Sequence, residues 1–96
     1  MITPSSVVVA AQDQVSSDLS GEAVILNLAT GIYYGLDDVG ARIWGLLQQP
    51  CSVDVIRDTI VGEYDVDPDR CERDLLALLQ ELAAARLIEV KDVASL

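Results

Sequence analysis

The sequence lacks histidine and phenylalanine, and among its 96 residues it has only one tryptophan and two cysteines. Without histidine the chain has no side chain that ordinarily exchanges a proton near neutral pH, so general base catalysis and most zinc sites lose their usual residue. Cys51 and Cys71 lack the Cys-x-x-Cys spacing of redox and zinc motifs, and both fall on segments predicted to be helical. We therefore expect buried apolar thiols, no catalytic residue and no cofactor.

Basic residues are also scarce, with six lysines and arginines against sixteen acidic residues and a net charge of −10. This charge repels phosphate backbones and anionic lipid surfaces, so we expect neither a nucleic acid nor a membrane as partner. The same excess favours a partner that presents lysine or arginine, and it predicts an association that weakens as salt rises.

Long apolar runs are missing, since no stretch approaches the roughly 18 apolar residues of a membrane-spanning helix. The opening MITPSSVVVAAQDQ lacks the basic start, apolar run and cleavage site of a secretion signal, so we expect a cytoplasmic protein. Hydrophobic residues nevertheless make up 51% of the chain, which is enough for one modest core. We expect one domain over residues 1–96, with its core at about residues 7–90.

The apolar patterns predict four strands, three helices and a final strand. The strands are predicted at residues 7–10, 15–19, 22–28, 32–36 and 87–90. Gly31 ends the turn between the third and fourth strands, where a positive φ suits glycine, and the two strands form a predicted hairpin. In residues 22–28, Ala23, Ile25 and Asn27 share one face.

Helix starts are marked by capping residues. Asp37 or Asp38 is predicted to cap the first helix, Ser52 the second, and Asp67 with Pro68 the third. The element order is that of an α+β fold, a winged helix-turn-helix with N-terminal antiparallel β-strands and three helices.

The third predicted helix carries two apolar lines, displaced by about 90° at about 100° per residue. One line is Cys71, Leu75, Leu78 and Leu82, and the other is Leu76, Leu79 and Ala83. A surface helix of a small domain needs one line for its own core. We expect the second line to cover the sheet, another protomer or a ligand.

Three alternating aspartates form a pattern that can indicate a calcium site. Asp65, Asp67 and Asp69 alternate in the manner of calcium-loop ligands, but Pro68 interrupts them and no glutamate closes the loop. We expect capping and a solvated acidic face there, and no metal site.

A winged helix-turn-helix often binds DNA, and a regulator of that class is one alternative. Between Asp67 and Asp74, however, the third helix has four acidic and two basic residues, which is unfavourable for phosphate contacts. A structural subunit or dimerisation module is another alternative.

The tyrosine-rich strand and the spare helix face together favour peptide binding. A groove between an edge strand and a helix can accept an extended peptide as an added strand. Ile32, Tyr34 and Leu36 alternate with Tyr33, so one tyrosine is expected to help the core while the other lines the groove. The alternative is that both rings pack at the corner between strand and helix. Trp44 is predicted to lie in the core.

Residues 21–47, GEAVILNLATGIYYGLDDVGARIWGLL, and the later LIEV resemble the PqqD-like proteins, also called RiPP recognition elements. The resemblance covers roughly residues 7–90, and its main marks are Gly21-Glu22, Gly31-x-Tyr-Tyr-x-Leu36 and Gly40-Ala-Arg-Ile-Trp44. It implies a protein that does no chemistry but captures the leader segment of a ribosomally made precursor peptide and presents it to a modifying enzyme.

In that family the leader docks as an added strand and against the third helix. Carried onto matching positions, the implied contacts are Ile32, Tyr33, Tyr34, Gly35 and Leu36 of the strand and Arg73, Leu76, Leu79, Gln80 and Ala83 of the helix.

Within the family, IYYGL and ARIW are most similar to the stand-alone members of lasso-peptide clusters, which implies a leader peptidase as partner and a leader with a Tyr-x-x-Pro element. Many relatives have Leu-Asn where this chain has Leu36-Asp37, which weakens the assignment to that subfamily. The alternative within the family is a partner of the radical SAM type, as in pyrroloquinoline quinone maturation. An unliganded groove also favours homodimerisation.

Overall fold

The structure is a computed structural model that describes residues 2–91. Met1 and residues 92–96 of the predicted single domain lie outside the described residues. In chain order the elements are β1 (Val7–Ala10), β2 (Gln14–Leu19), β3 (Glu22–Asn27), β4 (Tyr33–Leu36), α1 (Asp38–Leu46), β5 (Cys51–Ser52), α2 (Val53–Glu63), α3 (Pro68–Ala84) and β6 (Ile88–Lys91). This confirms the predicted α+β fold.

The strands form two antiparallel sheets. One has the order β2-β3-β4, and the other places β1 between β5 and β6. Val8 of β1 pairs with Val90 and Cys51, so β1 belongs to a different sheet from the hairpin strands β3 and β4. Cys51 lies on the two-residue strand β5 and not on a helix, because it completes this sheet.

Two of the predicted caps are confirmed. Asp37 accepts a hydrogen bond from the Gly40 amide at 2.8 Å, and Asp67 accepts one from the Arg70 amide at 3.0 Å. Ser52 occupies the N-cap position of α2, but its side chain makes no cap bond. Its hydroxyl lies 2.6 Å from a carboxylate oxygen of Asp54, to which it donates, so the predicted cap bond of Ser52 is wrong.

The core lies where β1, β3 and β6 meet the three helices. Ile25, Leu47, Ile56 and Leu82 are fully buried there, and each such side chain contributes about 1.5–3 kcal/mol when it leaves water. Trp44 is 4% exposed, which confirms its predicted place in the core. Within residues 2–91, no helix has the length and apolar character needed to cross a bilayer.

Two ion pairs tie the helices together at the surface. Arg42 of α1 makes two hydrogen bonds of 2.8 Å each to the Glu63 carboxylate at the end of α2. Arg57 of α2 contacts Glu72 of α3 at 2.7 Å. Glu72 therefore lies on the side of α3 that faces α2.

Candidate functional site

The β4 strand lies at the edge of its sheet. It pairs with β3 on one side, and no strand of the described part of the chain covers the other side. The Asn27 amide donates to the Ile32 carbonyl at 3.0 Å, so by antiparallel alternation Tyr33 and Gly35 turn their N–H and C=O groups away from β3. The edge therefore offers donors and acceptors at every second residue.

A cavity of about 680 Å³ lies between β4, the start of α1 and α3. Its floor is apolar, because Ile43 of α1, Ile60 of α2 and Leu75 of α3 reach it from the core. The other apolar lining residues are Leu36, Val39, Val66, Cys71 and Leu78. The open edge and this floor together form a groove between β4 and α3, lined by a different face of the helix from the one predicted.

The rim of this cavity is acidic. Four carboxylates line it, those of Asp37, Asp65, Asp67 and Asp74, together with the single guanidinium of Arg70. Arg70 and Asp74 approach to only 3.8 Å, and their side chains are 79% and 71% exposed, so this pair contributes little to stability.

Tyr34 separates the cavity from a smaller one of about 180 Å³ and lines both. Its hydroxyl donates to the Glu81 carboxylate of α3 at 3.1 Å, which bridges the two walls of the groove. Burial, followed by the hydrogen bond and the negative charge of Glu81, raises the pKa of Tyr34, so the hydroxyl keeps its proton at neutral pH. The hydroxyl can therefore act as the donor of this bridge at neutral pH.

Asn27 lines the smaller cavity and connects its two sides by hydrogen bonds. Its side chain is 4% exposed, and its amide group donates to the Ala85 carbonyl just after α3 at 2.8 Å. The side-chain oxygen Oδ1 of Asn27 accepts from the Ala29 and Thr30 amides at 2.9 and 3.3 Å. One buried side chain therefore ties the β3–β4 hairpin to α3. The sequence predicts only that Asn27 shares a face with Ala23 and Ile25; an asparagine on an apolar strand face was the available signal of this role.

The predicted strand residues occupy both faces of the sheet. Tyr34 pairs with buried Ile25 and faces the groove, and Leu36 lines the floor at 8% exposure. Tyr33 pairs with Leu26 on the outer face and is 68% exposed. Tyr34 alone therefore both lines the groove and packs against the core, whereas Tyr33 does neither with its ring. The expected division of roles between the two rings is corrected, and so is the alternative that both pack at the corner.

The two remaining strand positions are open. Ile32 is 64% exposed and lies just before β4, where it lines the smaller cavity. Gly35 lines the larger cavity with its backbone.

The predicted helix residues do not form the groove wall. Leu79 is fully buried, so the expectation that its side chain is open to a peptide is wrong. Leu76 and Ala83 are half-buried against the core and line neither of the two cavities. Arg73 and Gln80 are exposed and also line neither cavity. The side chains of α3 that face β4 are Arg70, Cys71, Asp74, Leu78 and Glu81.

The helix is rotated relative to that expectation for a packing reason. Leu75, Leu79 and Leu82 are buried together, and at about 100° per residue they mark one stripe that seals the core. Leu76 lies one turn after Glu72 and so shares the side that faces α2. Leu78 lies about 200° around the helix from Leu76, on the side of β4.

Both cysteines are half-buried, in partial agreement with the expected buried thiols. Burial raises the pKa of the Cys51 thiol, and the charge of Asp54 raises it further. Burial and then the charge of Asp74 likewise raise the pKa of the Cys71 thiol. Both thiols are therefore protonated at neutral pH and are poor nucleophiles.

Comparison with known proteins places this fold in a family. Residues 22–88 match the family described as Coenzyme PQQ synthesis protein D (PqqD). The chain belongs to the PqqD family. The match covers the hairpin, all three helices and the start of β6, so it spans every element that forms the groove.

A solved structure agrees with this assignment. The chain is 43% identical to the protein in a structure described as TbiB1 in complex with the TbiA(beta) leader peptide, with a TM-score of 0.79. The similarity covers 84% of this chain and 94% of that one. No curated protein matches the chain. The family resemblance stated from the sequence is thus confirmed.

Proposed function

We propose that this protein is a non-catalytic adaptor that captures the leader segment of a ribosomally made precursor peptide and delivers it to a modifying enzyme. The observation that carries the proposal is the edge of β4, which no strand of residues 2–91 covers, beside an apolar cavity. A similar protein, TbiB1, is known in complex with a leader peptide, which supports the same class of ligand here.

The leader adds to β4 as an extended strand. Its backbone bonds to the outward N–H and C=O groups of Tyr33 and Gly35, and alternate side chains enter the cavity toward Leu36 and Leu78. Among the helix positions implied by family resemblance, we propose that Arg73 and Gln80 contact the leader only from the exposed flank of α3, beside the rim.

The enzyme that receives the leader is proposed to be the leader peptidase of a lasso-peptide cluster. The stretches at Ile32–Leu36 and Ala41–Trp44 support this subfamily by resemblance. The second candidate is an enzyme of the radical SAM type, which the family description as a coenzyme PQQ synthesis protein favours. Reconstitution of the chain with each enzyme and its precursor distinguishes them, because only the cognate enzyme is expected to process the peptide faster when the adaptor is present.

Strand addition is tested on the peptide, which leaves the protein unchanged. The probe is the TbiA(beta) leader peptide. We expect N-methylation of successive peptide residues to weaken binding at every second position, because only alternate N–H groups face β4. A loss without this alternation in calorimetric titrations would contradict strand addition.

The groove wall is tested with a matched pair of variants. Leu78→Asp places a charge on the lining of the cavity and is expected to abolish binding, whereas Leu28→Asp changes a residue that is 57% exposed and outside both cavities. Circular dichroism establishes that each variant is folded. Equal binding by both folded variants would place the peptide elsewhere.

A further inference from the structure

We propose that the peptide segment over the larger cavity carries a lysine or arginine within one or two residues of a bulky apolar side chain. The apolar side chain fills the floor, and the cation lies at the rim against Asp65 and Asp74. This inference rests on the proposed function and specifies the chemistry of the ligand that the groove selects.

The cavity is large enough for the apolar part of that ligand. A volume of about 680 Å³ is more than one aliphatic side chain fills. The floor of the cavity is apolar, with Ile43, Ile60 and Leu75 each contributed by a different helix. A large aliphatic or aromatic side chain buried there gains about 1.5–3 kcal/mol, whereas a charged side chain on the same floor would lose its hydration.

The negative charge of the rim favours a basic residue next to that apolar side chain. Its four carboxylates and one guanidinium give a net charge of −3 at one end of the groove (one positive minus four negative charges). Two of the carboxylates already serve the fold, because Asp37 caps α1 and Asp67 caps α3, and each therefore faces a helix N-terminus that partly offsets its charge.

Asp65 and Asp74 are the carboxylates left for a ligand. Within residues 2–91, Asp65 is involved in no side-chain hydrogen bond or ion pair, and Asp74 has only the loose 3.8 Å contact with Arg70. A ligand cation can displace that contact at little cost because both partners are mostly in water. An acidic ligand residue at the same place would meet repulsion from both aspartates, so the rim also selects against such peptides.

A random peptide display library, selected on the intact chain, tests the inference. We expect the enriched sequences to carry lysine or arginine beside a large apolar residue. For one such synthetic peptide, the Asp65→Asn/Asp74→Asn double variant is expected to bind about fivefold more weakly and with less dependence on salt. An Asp65→Lys/Asp74→Lys variant is expected to enrich acidic residues at the same spacing.

The control variant removes the same number of negative charges as the first double variant, but at positions away from the groove. Asp18→Asn/Glu89→Gln removes two carboxylates that line neither cavity and is expected to bind the same peptide as the unaltered chain does. Equal weakening in both double variants, or enriched peptides without excess basic residues, would overturn the inference. If the TbiA(beta) leader peptide still binds in the alternating manner, the proposed function survives that result. Failure of the library and of that leader alike would overturn both.

Discussion

The amide group of Asn27 donates to the carbonyl oxygen of Ala85 at 2.8 Å and so joins two positions that are 58 residues apart. Asn27 ends β3, and Ala85 follows the last residue of α3. The bond therefore holds the hairpin that carries the open strand against the end of the helix that forms the opposite wall. The bond thus helps to set the spacing of the groove.

Replacing Asn27 by alanine is expected to lower the free energy of unfolding by about 2 kcal/mol, because the Ala85 carbonyl and two loop amides lose their partner. Urea unfolding followed by the fluorescence of Trp44, the one tryptophan of the chain, gives the difference. Gln12→Ala is the control, since Gln12 is exposed and its loss should change stability by less than about 0.5 kcal/mol. Equal stabilities of the two variants would contradict the anchoring role of Asn27.

Leu79→Ala is expected to destabilise the protein by about 3 kcal/mol, because it opens a cavity at a fully buried position. Leu78→Ala, one residue earlier and half-buried, should cost about 1 kcal/mol and should weaken peptide binding instead. Thermal unfolding and a binding titration on both variants separate the core face of α3 from its groove face. A stable Leu79→Ala protein with lost binding would reverse the assignment of the two faces.

Tyr34→Phe removes the bridge to Glu81 and keeps the ring. It is expected to cost about 0.5 kcal/mol, because the hydrogen bond is exposed to water. The raised pKa of Tyr34 means that the bridge contributes fully below pH 10.0, the ordinary value for tyrosine, and is lost as pH rises through the raised value. Ultraviolet titration should show a late-ionising tyrosine that disappears in Tyr34→Phe and remains in Tyr33→Phe.

The Arg42–Glu63 pair should make stability depend on acid pH. The hydrogen bonds from Arg42 lower the pKa of Glu63 below the ordinary 4.5 by more than burial raises it, and the charge of Arg42 lowers it further. The stabilisation is therefore present above about pH 4.5 and is lost as pH falls through the lowered value. Glu63→Gln is expected to melt below the unaltered chain at neutral pH and close to it in strong acid. Glu89→Gln, at an exposed position of β6, is the control and is expected to melt with the unaltered chain at neutral pH.

Local signals in the sequence were sufficient for most of the elements. Asp37 and Asp67 cap helices because their carboxylates accept neighbouring amides, and Gly31 adopts its φ of 73° because the hairpin loop requires it. Such features depend on a few adjacent residues, so a single sequence reveals them. The same holds for the alternation that separates Tyr33 from Tyr34.

Features that depend on distant residues were not predicted. The pairing of β1 with β6 joins the two ends of the chain, and the two-residue strand β5 exists only because β1 is there to pair with it. The prediction of which face of α3 is open to a peptide was wrong for a similar reason. Five leucines occupy overlapping faces of that helix, and only contact with α1, α2 and the sheets selects Leu75, Leu79 and Leu82 for the core.

The edge of β4, left unpaired by every strand that the structure describes, affects how copies of this chain behave toward one another. A bare strand edge is a template for any other bare edge, and each molecule displays the same one. A net charge of −10 on every copy makes two molecules repel before their backbones can align. Salt at 1 M shortens the range of that repulsion to about 3 Å. Association of the molecules through their β4 edges is therefore expected first at high protein concentration in concentrated salt.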